Sequence, residues 1–271
     1  MVKILELARA RRSVRSFDGR ELTEEDRAAL RAFADSLENP YGIPVSFRFL
    51  DARQQSLGCP VVVGTDCFLG GKIERVPHCE EAFGYALEKL VLYACSRGIG
   101  TTWIGGTMDR GAFERAMALE ENEIMPCVTP LGYPAAKMSL RESMMRKGAR
   151  ADSREPFETL FFRDDFLCAL QPDEAGLLYE PLECVRLAPS AVNRQPWRAL
   201  VCGKLVHFYK KASKGFVSAA AGDLQKVDLG IALCHFELCA GECGLAPRFV
   251  LKDPGLPCPD GFSYIASYEI A

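Results

Sequence analysis

Two stretches of the chain, GYALEKLVLYACSRGIGTTW at residues 84–103 and GIALCHFELCAGECGLAPRF at residues 230–249, align with each other without a gap. Each is a long apolar segment that ends at a glycine, the residue that helices favour directly after their last turn. The identical positions are Gly84/Gly230, Ala86/Ala232, Leu87/Leu233, Leu92/Leu238, Ala94/Ala240 and Gly98/Gly244. This recurrence predicts two buried helices that belong to two copies of one structural unit.

A second, weaker repeat supports the first. Residues 36–39 (SLEN) and 190–193 (SAVN) share a serine and an asparagine, and they precede the two long segments in the same order. Two helices of similar composition can also match by chance. Because two features recur in one order, we interpret the chain as a tandem duplication with halves at residues 1–160 and 161–271.

Apolar periodicity and turn residues predict helices and strands in both halves. We expect helices at residues 4–11, 23–36, 79–97, 110–117, 179–187 and 228–243. We expect strands at residues 45–50, 60–64, 123–131, 199–202, 205–209, 248–251 and 262–268. The charged stretch 144–156 is interpreted as the join between the halves. Because helices and strands mix without a regular βαβα alternation, the predicted fold class is α+β.

The composition is that of a globular protein. The chain has 271 residues, of which 48% are hydrophobic, and such a chain buries a core instead of staying disordered. Lys and Arg number 33 against 36 Asp and Glu, so the net charge of −3 gives no general attraction to nucleic acid or to an anionic membrane. No uncharged apolar stretch is long enough to span a membrane, and no apolar leader follows Met1. We therefore expect a cytoplasmic protein.

The chain has 12 cysteines but no Cys-x-x-Cys pair. The tightest cluster, Cys234, Cys239 and Cys243 beside His235, matches no common zinc or iron–sulfur spacing. We interpret these cysteines as small buried hydrophobic residues of an apolar helix, with zinc binding as the alternative. The three histidines have no partner at a recognisable catalytic spacing and are interpreted as structural.

A basic segment, RRSVRSF at residues 11–17, follows the first predicted helix. It carries guanidinium groups at Arg11, Arg12 and Arg15 and a hydroxyl group at Ser13. Arginine binds phosphate through parallel hydrogen bonds, so the segment indicates a phosphate site, although a solvated basic turn has the same composition.

Two loops carry further candidate residues. The loop LAPSAVNRQPW at residues 187–197 offers the amide side chains of Asn193 and Gln195, which can pair with the alternating donors and acceptors of a heterocycle. A plain turn before a core tryptophan is the alternative. The stretch 98–109 contains Gly105 and Gly106, whose lack of a Cβ lets a flat ligand approach the backbone.

Together these segments resemble the flavin-dependent nitroreductase family. The basic segment is similar to the family's N-terminal FMN fingerprint, and residues 188–197 resemble its Pro-Ser-x-x-Asn-x-Gln-Pro-Trp loop. Residues 84–103 resemble its central helix, and TPLGYP at 129–134 resembles the end of one of its strands. Ordinary members carry the fingerprint and the loop close together in one short chain that dimerises around FMN. Here each half carries one of the two, which resembles a fused, single-chain pseudo-dimer with one complete site.

The resemblance implies a role for each candidate residue. Arg11 and Ser13 are expected to bind the FMN phosphate, Arg12 the ribityl chain or the phosphate, and Arg15 the flavin edge that becomes negative on reduction. The backbone at Gly105 and Gly106 is expected to face the flavin, and either Arg150 or Arg154 to add a phosphate contact. The residues expected to close the site from the second half are Pro189, Ser190, Ala191, Asn193 and Gln195.

The implied activity is that of an FMN-dependent oxidoreductase. It passes hydride from NADH or NADPH through the flavin to a nitroaromatic, a quinone or a similar small acceptor, with no side chain as catalytic acid or base and no metal. Two alternatives stay open: another flavin-dependent reaction, such as flavin reduction or dehalogenation, and binding of flavin or another small ligand without turnover. Because one chain supplies both interface helices, we expect a monomer. The near-neutral net charge and the lack of a long apolar stretch predict no nucleic acid or membrane partner.

Overall fold

The computed structural model describes residues 2–271, so Met1, with which the predicted first half begins, lies outside the described residues. The helices are α1 (Ile4–Ala10), α2 (Glu24–Asp35), α3 (Cys79–Ser96), α4 (Arg110–Ala116), α5 (Leu140–Gly148), α6 (Phe157–Leu160), α7 (Tyr179–Leu187) and α8 (Leu224–Glu242). The strands are β1 (Ser46–Asp51), β2 (Cys67–Glu74), β3 (Glu123–Ile124), β4 (Val128–Pro130), β5 (Phe161–Arg163), β6 (Asp165–Ala169), β7 (Trp197–Cys202), β8 (Leu205–Lys211), β9 (Val217–Ser218), β10 (Gly222–Asp223), β11 (Pro247–Val250) and β12 (Phe262–Ile270).

The predicted α+β class is confirmed, with two larger sheets and the long helices α3 and α8 packed against each other. In the first sheet, β2 pairs with β1, β3 and β4, and all of these pairs are antiparallel. The second sheet has the order β11-β12-β8-β7-β5-β6, and its β5–β7 pair is parallel. Each side of residue 160 therefore contains the same succession: a helix (α2 or α7), an antiparallel strand pair (β1–β2 or β7–β8) and a long helix (α3 or α8).

Side-chain caps fix where several of these helices begin. The Thr23 hydroxyl accepts a hydrogen bond from the Asp26 backbone N–H at the start of α2. A threonine followed by acidic residues is a sequence signal for a helix start, so this cap is the expected one. The Asp223 carboxylate accepts hydrogen bonds from the backbone N–H groups of Gln225 and Lys226. This cap makes α8 begin at Leu224, one turn before the start predicted from sequence.

The long helices α3 and α8 cross at the two glycines that the repeat aligns. A Cβ atom built on Gly84 would lie 2.1 Å from the Val227 carbonyl oxygen, and one built on Gly230 would lie 2.0 Å from the Glu81 carbonyl oxygen. Each glycine thus contacts the residue three positions before the other glycine, which is the reciprocal pattern of a local twofold axis. Only glycine permits so close an approach of two helix backbones.

The strand predicted at residues 60–64 is wrong. In that stretch only Val63 pairs, in an isolated bridge with Ser16, and the strand of this region is β2. Its Gly70 and Gly71 break the usual strand pattern in sequence. Both positions lack room for a side chain. A Cβ on Gly70 would lie 2.4 Å from the Met117 sulfur, and one on Gly71 would lie 2.8 Å from a ring carbon of Phe83. The single strand predicted at 123–131 is interrupted between β3 and β4.

The close contact of α3 and α8 at these glycines predicts that one added methyl group destabilises the fold. Gly84→Ala or Gly230→Ala should lower the free energy of unfolding by about 1–3 kcal/mol, because the helices must move apart. Urea unfolding followed by circular dichroism measures this loss.

Gly241→Ala on α8 is the matched control, because a Cβ there meets nothing within 4 Å. We expect it to leave stability unchanged or to raise it by up to about 1 kcal/mol, as helix propensity predicts. Equal stability of Gly84→Ala and Gly241→Ala would contradict the close crossing.

Candidate binding site

A cavity of about 530 Å³ lies where the two sides of the chain meet. Before residue 160, its walls come from the segment after α1, residues 103–107 and α5. After residue 160, they come from the loop after α7, residues 215–216 and the first turns of α8. The predicted site residues that border it are Arg11, Ser13, Arg15, Gly105, Gly106, Arg154, Pro189, Ser190, Ala191 and Asn193. The predicted residues that do not border it are Arg12, Arg150 and Gln195.

The basic segment reaches the cavity because the chain becomes extended after α1. Ser13 forms a parallel bridge with Thr101, and the Val14 backbone N–H donates to the Thr101 carbonyl. Side chains alternate along extended backbone, so Ser13 and Arg15 face the cavity while Val14 is buried on the other side.

Four guanidinium groups, those of Arg11, Arg15, Arg146 and Arg154, border the cavity. Burial lowers the pKa of Arg11 and of Arg15, and the charge of Arg146 lowers both further. Burial also lowers the pKa of Arg154 to about 10, with the charge of Arg11 as the next cause. The Nε atoms of Arg11 and Arg15 are buried and have no hydrogen-bond partner within residues 2–271. The cavity is therefore built to receive an anion.

Arg146 is not among the predicted site residues, because it lies in residues 144–156, whose charged sequence predicts only a join between the halves. It lies on α5, and its guanidinium donates to the Ser13 carbonyl and pairs with Asp152. The sequence signal for the start of α5 is the N-cap serine Ser139, whose hydroxyl accepts from the Glu142 N–H at 3.1 Å.

The loop after α7 is held in an uncommon backbone conformation. Val192, Asn193 and Gln195 have φ values of 50°, 55° and 48°. These values lie in the left-handed region, which residues other than glycine rarely adopt. The Ser190 hydroxyl accepts from the Gln195 N–H at 2.8 Å, and the Asp228 carboxylate accepts from the Ala191 N–H at 2.9 Å. These bonds hold the loop in its strained form.

The amide side chains of this loop bind the chain itself, which differs from the predicted pairing with a heterocycle. The Asn193 amide donates to the carbonyl oxygens of Arg150 and Ser153, at 2.8 and 3.0 Å. The Gln195 side-chain oxygen accepts from the Glu155 N–H at 2.9 Å. Both amides therefore tie the loop to the join between the halves.

Of the two arginines that the prediction left open, Arg154 borders the cavity and Arg150 is exposed. The Arg154 guanidinium donates to the carbonyl oxygens of Ala151, Ser153 and Leu187, at 2.8–3.1 Å. Its donors are thus largely engaged in holding the loop and the join together.

A buried polar chain supports the cavity wall at Trp103. The Trp103 indole N–H donates to Glu88 Oε2 at 3.0 Å, and Glu88 Oε1 lies 2.8 Å from His235 Nε2. Cys184 Sγ lies 3.4 Å from the other ring nitrogen of His235. Glu88 and His235 are both fully buried, on α3 and α8, so the helix crossing and the cavity share one hydrogen-bonded network.

Residues 2–271 contain no group of three His, Cys, Asp or Glu residues that could hold a metal ion. Cys234 and Cys239 are buried, as predicted, whereas Cys243 is exposed because it lies just beyond the end of α8. Within the described part of the chain, no helix has the length and apolar character needed to cross a membrane.

The family described as "Putative TM nitroreductase" matches residues 3–240, and the chain belongs to this family. No curated protein gives a significant match.

One solved structure shares the fold over nearly the whole chain, and others are similar to about half of it. A structure from Thermotoga maritima, described as a putative nitroreductase, has a TM-score of 0.62 and 21% identity and covers 99% of this chain and 93% of that chain. A nitroreductase family protein from Clostridium novyi NT has a TM-score of 0.44 and 17% identity, with 50% of this chain and 87% of that chain covered. An FMN-dependent nitroreductase from Clostridium difficile R20291 has a TM-score of 0.42 and 14% identity, with 52% and 94% covered.

The crowding of cations predicts that Arg146→Met stabilises the ligand-free fold. The substitution removes a positive charge that Arg11, Arg15 and Arg154 all experience, while the pair with exposed Asp152 contributes little. We expect a gain of about 1 kcal/mol in unfolding free energy and a smaller rise in melting temperature on adding phosphate. Thermal melts with and without inorganic phosphate measure both effects.

Lys147→Met is the matched control, because Lys147 is the exposed neighbour of Arg146 on α5. It should change neither quantity appreciably. If both variants behave alike, the four guanidinium groups do not form a repelling cluster.

Proposed function

We propose that this chain binds one FMN in the cavity and uses it to transfer electrons from NADH or NADPH to a small acceptor. The observation that carries the proposal is the set of four arginines around the cavity, two of them with buried and unpartnered Nε atoms. The family and the neighbour described as an FMN-dependent nitroreductase are consistent with it.

The residues of the cavity fit the two ends of FMN. Arg11, Ser13 and Arg146 offer donors for a phosphate dianion, and charge-assisted hydrogen bonds contribute about 1.5–3 kcal/mol each. Leu224, Val227 and Ile231 of α8 give the opposite wall an apolar surface, which suits a flat ring. At Gly106 a Cβ would meet nothing within 4 Å, so its backbone is open to a close approach.

The protein's own contribution is to bind, orient and shield. When bound, FMN supplies the hydride transfer that side chains cannot perform. Arg15 is positioned to stabilise negative charge that develops beside it on reduction, and its incomplete hydrogen bonding leaves that capacity free. Trp103, fixed by Glu88, and the loop held by Asn193 form two of the cavity's walls, which would shield a bound ring from solvent on those sides.

We infer that the second, equivalent position of the duplication binds no FMN. The second half has no counterpart of the Arg-Arg-Ser segment, and the first half has no Gln-Pro-Trp. In the first half, Tyr41 packs against His78 and Phe249, with ring centroids 5.4 and 4.9 Å apart. Aromatic side chains thus occupy the region near the first-half loop.

Purified protein should hold one FMN per chain and lose its yellow colour when NADH or NADPH is added without oxygen. Absorbance of released flavin measures the stoichiometry, and anaerobic spectra measure the reduction. A panel of nitroaromatics and quinones then identifies the acceptor class. Two tightly bound FMN per chain would disprove the single site, and flavin that neither cofactor reduces would favour binding without turnover.

Two arginine variants should have different effects. Arg11→Ala should weaken FMN binding about tenfold to a hundredfold, because it removes a charge-assisted contact to the phosphate. Arg15→Ala should mainly lower the flavin midpoint potential, because its partner charge appears on reduction. Fluorescence titration and equilibrium redox titration measure the two quantities.

Arg12→Ala is the matched control, because Arg12 lies between these residues in the chain but does not border the cavity. We expect close to wild-type affinity and potential. A loss in Arg12→Ala equal to that in Arg11→Ala would mean that general positive charge, not the cavity, retains FMN.

A further inference from the structure

One carboxyl group of the cavity has an oxygen without a partner. Asp228 lies on α8 and is 3% exposed. Its Oδ1 accepts the Ala191 N–H at 2.9 Å, whereas its Oδ2 is buried and has no hydrogen-bond partner within residues 2–271. Asp228 borders the cavity, so a molecule that fills the cavity lies beside this carboxyl group. A buried polar atom left unpaired is costly, so an unpaired atom of a cavity-lining residue calls for a partner, which a bound ligand can supply.

The surroundings of Asp228 disfavour its charged form. Burial raises the pKa of this carboxyl well above its usual value, and the negative charge of Asp223 at the start of α8 raises it further; the Ala191 hydrogen bond only partly opposes them. Burial likewise disfavours the charged form of the neighbouring Cys127 thiol and raises its pKa to about 12. The other titratable groups that border the same cavity are Cys127, Arg11, Arg15, Arg146 and Arg154.

We propose that Asp228 is a neutral hydrogen-bond donor that presents Oδ2–H to an acceptor atom, a ring nitrogen or a carbonyl oxygen, of the flavin bound in the cavity. The proposal rests on FMN binding as the proposed function. One oxygen of Asp228 holds the loop through Ala191, and the other is left for the ligand. A structural role alone requires only the first oxygen, so the second distinguishes this residue from a simple loop anchor.

A neutral donor has a consequence for the flavin as well as for binding. The carbonyl oxygens of the ring and the ring nitrogen that becomes negative on reduction gain electron density, so a hydrogen bond to any of these atoms strengthens on reduction. Asp228 should therefore favour the reduced form. An ionised Asp228 would have the opposite effect, since its charge would repel both the phosphate and the reduced ring.

Asp228→Asn is the informative variant, because an asparagine keeps the acceptor for Ala191 and offers an N–H donor in place of Oδ2–H. At pH 7 we expect its FMN dissociation constant to stay within about threefold of wild type and its flavin potential to be nearly unchanged. Asp228→Ala, which lacks both groups, should bind about tenfold more weakly and should have a lower potential. Asp253→Asn, in an exposed loop, is the control for removal of one acidic group.

The dependence on pH tests the neutral state. As pH rises through the pKa of Asp228, wild-type affinity should fall relative to that of Asp228→Asn, because only the acid loses its proton. Taking the ratio of the two constants removes the titration of the FMN phosphate, which both proteins share.

A measurement without ligand tests the protonation independently. A folded state that keeps a proton on Asp228 binds more protons than the unfolded chain above about pH 4. Wild type should then lose stability relative to Asp228→Asn as pH rises, by up to about tenfold in the unfolding equilibrium constant per pH unit, until the folded-state pKa is reached. Urea unfolding of both proteins at several pH values gives this slope.

The outcomes separate the two proposals. Wild-type protein that binds no FMN would overturn both the proposed function and the role of Asp228. Normal FMN binding by wild type, with a flat stability difference and a loss of tenfold or more in Asp228→Asn, would overturn only the neutral donor. Wild-type affinity and potential in Asp228→Ala would also overturn it, because the unpaired oxygen would then have no contact with the flavin.

Discussion

The close contact between α3 and α8 at Gly84 and Gly230 is the constraint on which the rest of this structure depends. Each sheet packs against one of these helices, so the distance between the helices sets the distance between the sheets. The cavity lies along the same boundary, and four residues of α8 line it within two turns of Gly230: Leu224, Val227, Asp228 and Ile231. A wider separation of the helices would move the second-half wall away from the basic segment of the first half.

The buried network of Glu88 and His235 transmits this constraint to the cavity. Both residues lie on the crossing helices, and Glu88 also fixes the Trp103 side chain. Arg11 experiences the negative charge of Glu88, which opposes the lowering of its pKa by burial. One carboxylate therefore supports the packing of two helices, the orientation of an aromatic wall and the charge of a ligand-binding arginine. Such shared use explains why a polar group can remain in the interior of an apolar helix pair.

The sequence predicts the helices and the location of the cavity well because both depend on local patterns. The repeat finds the crossing helices, and the basic segment and the loop before Trp197 both border the cavity as expected. The sequence predicts the roles of individual side chains less well. Asn193 and Gln195 have the right chemistry for a heterocycle, but their partners are backbone groups of residues 150–155, which are distant in sequence and close only in the fold. The sequence does not predict strand β2, because glycine is unusual inside a strand. The side chains that require glycine at positions 70 and 71 come close only in the folded chain.

The cavity also shows why a binding site and a stable fold make opposing demands. Four arginines share one space, and the charge of Arg146 lowers the pKa of the other three. The loop opposite them holds three residues at positive φ. Both features cost free energy in the ligand-free chain. An anion placed among the arginines would remove the repulsion, and an acceptor beside Asp228 would satisfy its unpaired oxygen. Ligand binding and folding are therefore linked, and the stability of this protein should rise with the concentration of the molecule that its cavity fits.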